Sequence, residues 1–256
     1  MSDSGRGRSD GENSHAAGRL TFRVPRTEGN RRPLPALLAG DRPLGLGDGR
    51  DGVLYVPDTA ERNAPVILFF HGAGGSARRE LRAVIGAADR YGAVIAAPDS
   101  RSAGWDVVQL GRFGPDVEFA DRLLNEVADT CDVDFDRLAL GGISDGASYA
   151  LSLGVMNGDL AKAVVAFSPG FLVTATRVGR PRVFISHGTE DPILPIDVCG
   201  RRLAAGLGLD GYAVTFHEFE GGHTVPTAVA DAGFRWWVEG WVEGWVEGCG
   251  GGAART

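Results

Sequence analysis

A serine between two glycines is the first candidate for chemistry in this chain. Residues 142–146 read Gly-Ile-Ser-Asp-Gly, directly after the apolar segment 138–141 and directly before a helical pattern. Small residues on both sides of a serine permit a tight turn from strand to helix, which exposes the hydroxyl group. In a chain with 39 glycines a Gly-x-Ser-x-Gly pattern can also occur by chance. Its position between a predicted strand and a predicted helix is therefore the stronger evidence for a nucleophile. We predict that Ser144 is a nucleophile.

Serine is a poor nucleophile at neutral pH, and it needs an imidazole to take its proton and a carboxylate to orient that imidazole. Asp191 lies in a His-Gly-Thr-Glu-Asp-Pro loop after the apolar segment 183–186, and His223 lies in Gly-Gly-His after the next predicted strand. Glu190 is the alternative acid. The other four histidines are better explained by packed, exposed or turn-stabilising roles: His15, His71, His187 and His217.

Attack by a serine on an acyl group places negative charge on an oxygen, which backbone N–H groups can stabilise. We expect one donor to be the amide of Asp145, the residue after the nucleophile. The second donor is expected to be Ala73, in the run His-Gly-Ala-Gly-Gly at residues 71–75. This run could also be a tight turn or a phosphate-binding loop, but it lacks the lysine and the serine or threonine of the latter.

These residues need a scaffold that brings distant loops together. From Leu20 onward, short apolar segments alternate with helical patterns, which is typical of a mostly parallel sheet with helices on both faces. The predicted strands are residues 20–24, 52–55, 66–70, 93–96, 138–141, 163–167, 183–187 and 213–217. The predicted helices are residues 77–90, 117–131 after Pro115, 146–156, 198–207 and the segment after Thr224.

Both ends of the chain differ from this pattern. Residues 1–17 mix Ser, Gly, Asp and Arg without periodicity, so we expect a disordered arm. Residues 18–248 are expected to form one domain, which ends in a helix with three tandem copies of Trp-Val-Glu-Gly from Trp237 to Gly248. Residues 249–256 are expected to be a flexible tail. The repeated tryptophans could alternatively dock on a partner or a membrane surface.

The composition is that of an ordinary soluble protein and excludes several function classes. A net charge of -7 argues against a nucleic-acid partner, and no stretch approaches the roughly 18 to 20 apolar residues of a membrane span. The start of the chain has no signal-peptide pattern. The three cysteines lie far apart, which suits the cytoplasm and provides no zinc site: Cys131, Cys199 and Cys249. A homodimer is compatible with the composition.

Four motifs occur in a fixed order over residues 53–237, at 71–75, 142–146, 187–192 and 222–223. In these motifs the chain resembles the phospholipase/carboxylesterase family and the polyhydroxybutyrate-depolymerase-like esterases. The resemblance implies an α/β-hydrolase fold, with an eight-stranded, mostly parallel sheet and no cap domain. It also implies a triad of Ser144, His223 and Asp191, which favours Asp191 over Glu190.

The same resemblance implies that Ala73 and Asp145 form the oxyanion hole. Asp145 stands where carboxylesterases commonly have glutamine, but its backbone N–H remains in place. Its carboxylate could discourage anionic substrates.

We therefore expect a serine hydrolase that cleaves carboxylic esters of small molecules through an acyl-enzyme, with no metal and no cofactor. An acyl thioesterase or a polyester depolymerase would use the same triad, so both remain alternatives. A non-catalytic binding protein on a hydrolase scaffold would be expected to lack one member of the triad, and none is missing.

The expected size of the substrate follows from a short connection. Only residues 168–182 separate two predicted strands after the nucleophile, too few for a helical cap over the site. We expect an open, shallow pocket that favours acyl groups of about two to six carbons, because each buried methylene contributes only about 0.8 kcal/mol. Its apolar wall is expected to include Trp105, Phe171, Leu172 and Ile193.

Overall fold

Eight strands form one sheet in the computed structural model, which describes residues 6–24, 39–47 and 49–248 and, within these, the side chains of residues 11–24, 39–47 and 49–240. The strand order is β1-β2-β4-β3-β5-β6-β7-β8. The strands are β1 (Gly40–Pro43), β2 (Gly52–Val56), β3 (Ala64–Phe70), β4 (Val94–Pro98), β5 (Val133–Ile143), β6 (Ala163–Phe167), β7 (Arg182–Gly188) and β8 (Val214–Phe219). The pairs β1–β2 and β2–β4 are antiparallel, and all the others are parallel. The predicted fold class is confirmed.

The central strands read as continuous apolar runs because helices cover both faces of the sheet. Every residue of β3, β4 and β6 is buried. Successive side chains of a strand point to opposite faces. Leu68 and Phe70 therefore pack in the core on one face of the sheet, whereas Ile67 and Phe69 pack in the core on the opposite face.

The helices follow the strands in alternation. They are α1 (Arg6–Ala16), α2 (Ala77–Tyr91), α3 (Asp106–Leu110), α4 (Pro115–Thr130), α5 (Asp145–Met156), α6 (Arg202–Leu209) and α7 (Thr227–Gly248), and a π-helical turn (Asp197–Arg201) runs into α6. Proline at the first position of α4 has a fixed φ suited to a helix start. Residues 168–181, between β6 and β7, contain no helix. None of the helices in the described part of the chain has the length and hydropathy of a membrane span.

The strand predicted at residues 20–24 is wrong. Leu20 and Phe22 are buried, as a strand there would require, but the backbone donors of this segment bind side chains and not a neighbouring strand. Asp121 accepts hydrogen bonds from the backbone N–H of Thr21 at 2.7 Å and of Phe22 at 2.9 Å, and Asn157 accepts one from Leu20 at 2.8 Å. The segment lies over the core without joining the sheet.

The disorder predicted for residues 1–17 differs from the structure, which places α1 at Arg6–Ala16. His15 at the end of α1 lies 2.6 Å from the carboxylate of Asp121, and Arg19 forms an ion pair with Asp159 at 2.8 Å. These long-range contacts attach a segment that is too polar to be recognised from its own composition. Residues 1–5 lie outside the described residues.

The first strand was not predicted. β1 has the sequence Gly-Asp-Arg-Pro, three of its four residues are exposed, and among the described strands it pairs with β2 alone. Its residues are typical of turns and not of strands, and a short edge strand ending in proline buries too little to show an apolar pattern.

The helix predicted after Thr224 is α7, and its first Trp-Val-Glu-Gly copy packs on the sheet. Trp237 is buried, and its Nε1–H donates to the carbonyl oxygen of Arg137 at 3.1 Å. A Cβ on Gly240 would lie 2.8 Å from Nη1 of Arg182, so this glycine leaves room for a guanidinium group. The side chains of the other two copies, and the tail at residues 249–256, lie outside the described residues.

Asp121 fixes the segment 15–22 on α4, because its buried carboxylate accepts hydrogen bonds from the backbone N–H groups of Thr21 and Phe22 and lies 2.6 Å from His15. We expect Asp121→Ala to lower the free energy of unfolding by about 3 kcal/mol, since the donors left behind lose a charged acceptor. Asp129→Ala, at an exposed position of the same helix, is the matched control. Equal midpoints of the two variants in urea unfolding would contradict this role.

Candidate active site

Ser144 occupies the single position between β5 and α5. Its φ is 57° and its ψ is -120°, a conformation that a residue with a side chain rarely adopts. The turn brings two backbones close together, since a Cβ on Gly146 would clash with the carbonyl oxygens of Phe70 and His71. Only glycine fits at this position. The strand-turn-helix setting predicted for the serine is therefore present, and it exposes the hydroxyl at the carboxyl edge of the sheet.

The predicted acid and base are in contact. Nδ1 of His223, in the loop after β8, lies 2.6 Å from Oδ2 of Asp191, in the loop after β7. Because Nδ1 donates to the carboxylate, Nε2 of the neutral ring is left to accept a proton. Glu190, the alternative acid, is exposed, and the structure does not bring it to His223.

The carboxylate of Asp191 is held in its charged form. Its Oδ1 accepts the backbone N–H of Ile193 at 2.9 Å and of Leu194 at 2.8 Å. Burial opposes the charge, but the amide of Leu194, the ring of His223 and the amide of Ile193 outweigh it and hold the pKa of Asp191 below its ordinary value.

His187 is a further contact of the acid, which the sequence reasoning missed. Its Nε2 lies 2.7 Å from the carbonyl oxygen of Leu194 and 3.2 Å from Oδ2 of Asp191. A carbonyl oxygen only accepts, so Nε2 carries the proton and also faces the carboxylate. Nδ1 is buried and has no hydrogen-bond partner among the described residues. A Cβ on Gly200, in the π-helical turn, would lie 2.6 Å from it. No spacing in the sequence indicates this three-dimensional contact.

The loop expected to supply the second oxyanion donor is fixed by His71. The N–H of Ser100 donates to Nε2 of His71 at 3.0 Å, so Nδ1 carries the ring proton and donates to the carbonyl oxygen of Gly72 at 2.7 Å. In a trans peptide the N–H of Ala73 points away from that oxygen. Burial lowers the pKa of His71, which favours the neutral ring that this arrangement needs. His71 thus sets the orientation of the Ala73 amide.

The other expected donor, the amide of Asp145, lies at the start of α5. The first N–H groups of a helix have no partner within it, and Asp145 is the first residue of α5. Its side chain is half-buried. Burial raises the pKa of the Asp145 carboxyl, whereas His223 and His71 act in the opposite direction.

A cavity of about 420 Å³ joins these groups, since Ser144, His223 and Ala73 all line it. Ile193, predicted for the pocket wall, lines it too and is 65% exposed. Val225 and Ile143 add apolar surface that the sequence did not indicate.

The other predicted wall residues lie elsewhere. Trp105 is only 1% exposed, stacks on Tyr149 at 5.0 Å and donates from Nε1 to the carbonyl oxygen of His71 at 2.8 Å. Trp105 thus supports the loop at residues 71–75 from the core and is not among the residues that line the cavity. Phe171 and Leu172 are partly buried against the core and are not among the residues that line the cavity.

Among the residues that the structure describes, no group of three or more His, Cys, Asp or Glu side chains is arranged to hold a metal ion.

No family model matches the chain. It is 28% identical to feruloyl esterase C of Emericella nidulans over 160 residues, which are 59% of this chain and 58% of that protein. It is 27% identical to feruloyl esterase D of Neurospora crassa over 173 residues, which are 61% of this chain and 58% of that protein. The chain thus spans less than two thirds of the length of these relatives.

Solved structures of esterases share the fold. Esterase PE8 superposes with a TM-score of 0.60 at 20% identity, covering 73% of this chain and 97% of that one. The propionate-bound esterase 2 of Thermogutta terrifontis superposes with a TM-score of 0.59 at 22% identity, covering 85% and 97%. The resemblance to esterases that the four motifs carry is confirmed, and the chain has an α/β-hydrolase fold.

Proposed function

We propose that the chain is a carboxylic ester hydrolase that works through an acyl-enzyme. One observation carries the proposal: a buried carboxylate holds an imidazole at 2.6 Å, and that imidazole lines the same cavity as a serine on a strained turn. Ser144 attacks the ester carbonyl while Nε2 of His223 takes its proton. The alcohol leaves with that proton, and water then releases the acid by the same route.

The charge that develops on the carbonyl oxygen needs donors that are already in position. The amides of Ala73 and Asp145 are suited to this role, because His71 orients the first and the start of α5 leaves the second without a helical partner.

The substrate class follows from charge and size. Carboxyl groups of Asp145 and Glu80 lie near the base or line the cavity, so an uncharged ester is favoured over an anionic one. The feruloyl esterases that resemble the chain support hydrolysis of carboxylic esters. A cavity of about 420 Å³ without a helical cap between β6 and β7 suits a small acyl group.

Removal of the nucleophile provides the direct test. We expect Ser144→Ala to lower kcat for a soluble ester by about 10⁶-fold, because serine and histidine act as one unit. A fluorophosphonate probe should label the wild-type chain and not the variant, and circular dichroism should show the same fold. Turnover by Ser144→Ala near the wild-type rate would overturn the mechanism.

Asp191 and Glu190 are adjacent acids, so their substitution one at a time gives a matched pair of variants. Asp191→Asn should lower kcat by about 10⁴-fold, since the imidazole loses the group that selects its tautomer. Glu190→Gln should change kcat little, because the Glu190 side chain is exposed. The reverse ranking of the two rates would assign the acid to Glu190.

The acyl preference is tested with a graded series of esters. We expect kcat/KM to rise up to about six acyl carbons, by at most the contribution of about 0.8 kcal/mol for each buried methylene, and then to level off or fall. Thioesters of the same acyl groups separate esterase from thioesterase activity. A kcat/KM that still rises for long-chain esters, or a jump above the micelle concentration, would indicate a long groove or a lid.

A further inference from the structure

The active-site cavity contains a carboxyl group that the proposed mechanism does not use. Glu80, in the first turn of α2, lines the cavity together with Ser144 and His223, and its side chain is only 19% exposed. It lies close to the loop at residues 71–75, since Oε1 lies 3.0 Å from where a Cβ on Gly75 would be. Glu80 is thus beside the reacting groups without belonging to the triad.

The carboxyl of Glu80 accepts no hydrogen bond from any residue that the structure describes. Its one ion-pair contact there is Nε of Arg79 at 4.0 Å, which is too long for a hydrogen bond, and the Arg79 side chain is 76% exposed. The side chain of Glu80 is partly buried and lines the cavity, so a donor on a ligand that fills the cavity can take the place of water at this carboxyl group.

The surroundings of Glu80 decide which donor suits it. Ala83, Ile143 and Val225 give the cavity apolar walls, which favour a ligand with an apolar body. Arg79 at the rim disfavours a cationic ligand. Burial also raises the pKa of Glu80, so its surroundings stabilise the charge poorly. A neutral hydroxyl group fits these conditions better than an ammonium group.

We propose that Glu80 is a specificity-determining residue that binds a hydroxyl group on the substrate, so that the site selects uncharged esters with a hydroxylated apolar body. This inference rests on the proposed function of the same cavity. The hydroxyl can belong to the acyl part or to the alcohol part of the ester, and the recognition chemistry is the same in both.

Two pairs of esters that differ by one hydroxyl group test this role. Methyl cinnamate and methyl 4-hydroxycinnamate place the hydroxyl on the acyl part, and 2-phenylethyl acetate and 2-(4-hydroxyphenyl)ethyl acetate place it on the alcohol part. The measured quantity is kcat/KM for the hydroxylated ester divided by that for the plain ester. Comparison of this ratio between variants cancels the effect of the hydroxyl on intrinsic reactivity.

In one of the two pairs, we expect the ratio to fall about tenfold in Glu80→Met, as for the loss of one hydrogen bond to a carboxyl group. The pair that responds identifies the part of the substrate that Glu80 contacts. Glu80→Gln keeps an acceptor and should fall between wild type and Glu80→Met. The matched control is Glu118→Met, because Glu118 lies exposed in the first turn of α4; its ratios should equal those of wild type.

Ratios that are unchanged in both pairs, with the plain esters still hydrolysed, would overturn the role of Glu80 and leave the proposed function intact. Failure of the wild-type chain to hydrolyse all four esters would instead contradict the proposed function. A larger effect of Glu80→Met on methyl 4-(aminomethyl)cinnamate than on the hydroxylated ester would also overturn the proposal, in favour of a cationic substrate. Labelling of Ser144 by a fluorophosphonate confirms that each variant has folded.

Discussion

The close approach of two backbones at the nucleophile turn is the constraint on which the site depends. Gly146 at the start of α5 lies so near the carbonyl oxygens of Phe70 and His71 that no side chain fits there. This contact joins the end of β3 to the end of β5, which are neighbours in the sheet. The loop after β3, which is expected to supply an oxyanion donor, is therefore beside Ser144 as a direct result of strand order. The strained φ of the serine is maintained by packing on both sides.

The same strand order assembles the rest of the site. Parallel strands end at one edge of the sheet, so the loops after β5, β7 and β8 bring Ser144, Asp191 and His223 together although the first and the last lie 79 positions apart. The acid then depends on donors of its own loop, Ile193 and Leu194, and on the buried ring of His187. A π-helical turn, which brings Gly200 against that ring, extends this support beyond the loop.

Sequence reasoning succeeded where one physical cause dominated. Strands buried on both faces leave an apolar run, and a tight turn leaves glycines, so β2 to β7 and the serine turn were predictable. It failed where contacts between residues distant in the sequence determine the local structure. Residues 20–24 have the apolar pattern of a strand, but the carboxylate of Asp121 satisfies their backbone. Trp105 is a large aromatic residue of the kind expected in a pocket wall, but it is buried and its indole N–H donates to the carbonyl oxygen of His71.

Three carboxyl groups around the cavity differ in pKa because their environments differ. Backbone amides and an imidazole outweigh burial at Asp191 and lower its pKa, whereas burial dominates at Glu80 and Asp145 and raises theirs. As the pH falls, Glu80 and Asp145 therefore lose their charge before Asp191 does. The cavity therefore becomes less negative while the carboxylate that contacts Nδ1 of His223 is still ionised, so Glu80 and Asp145 titrate separately from Asp191.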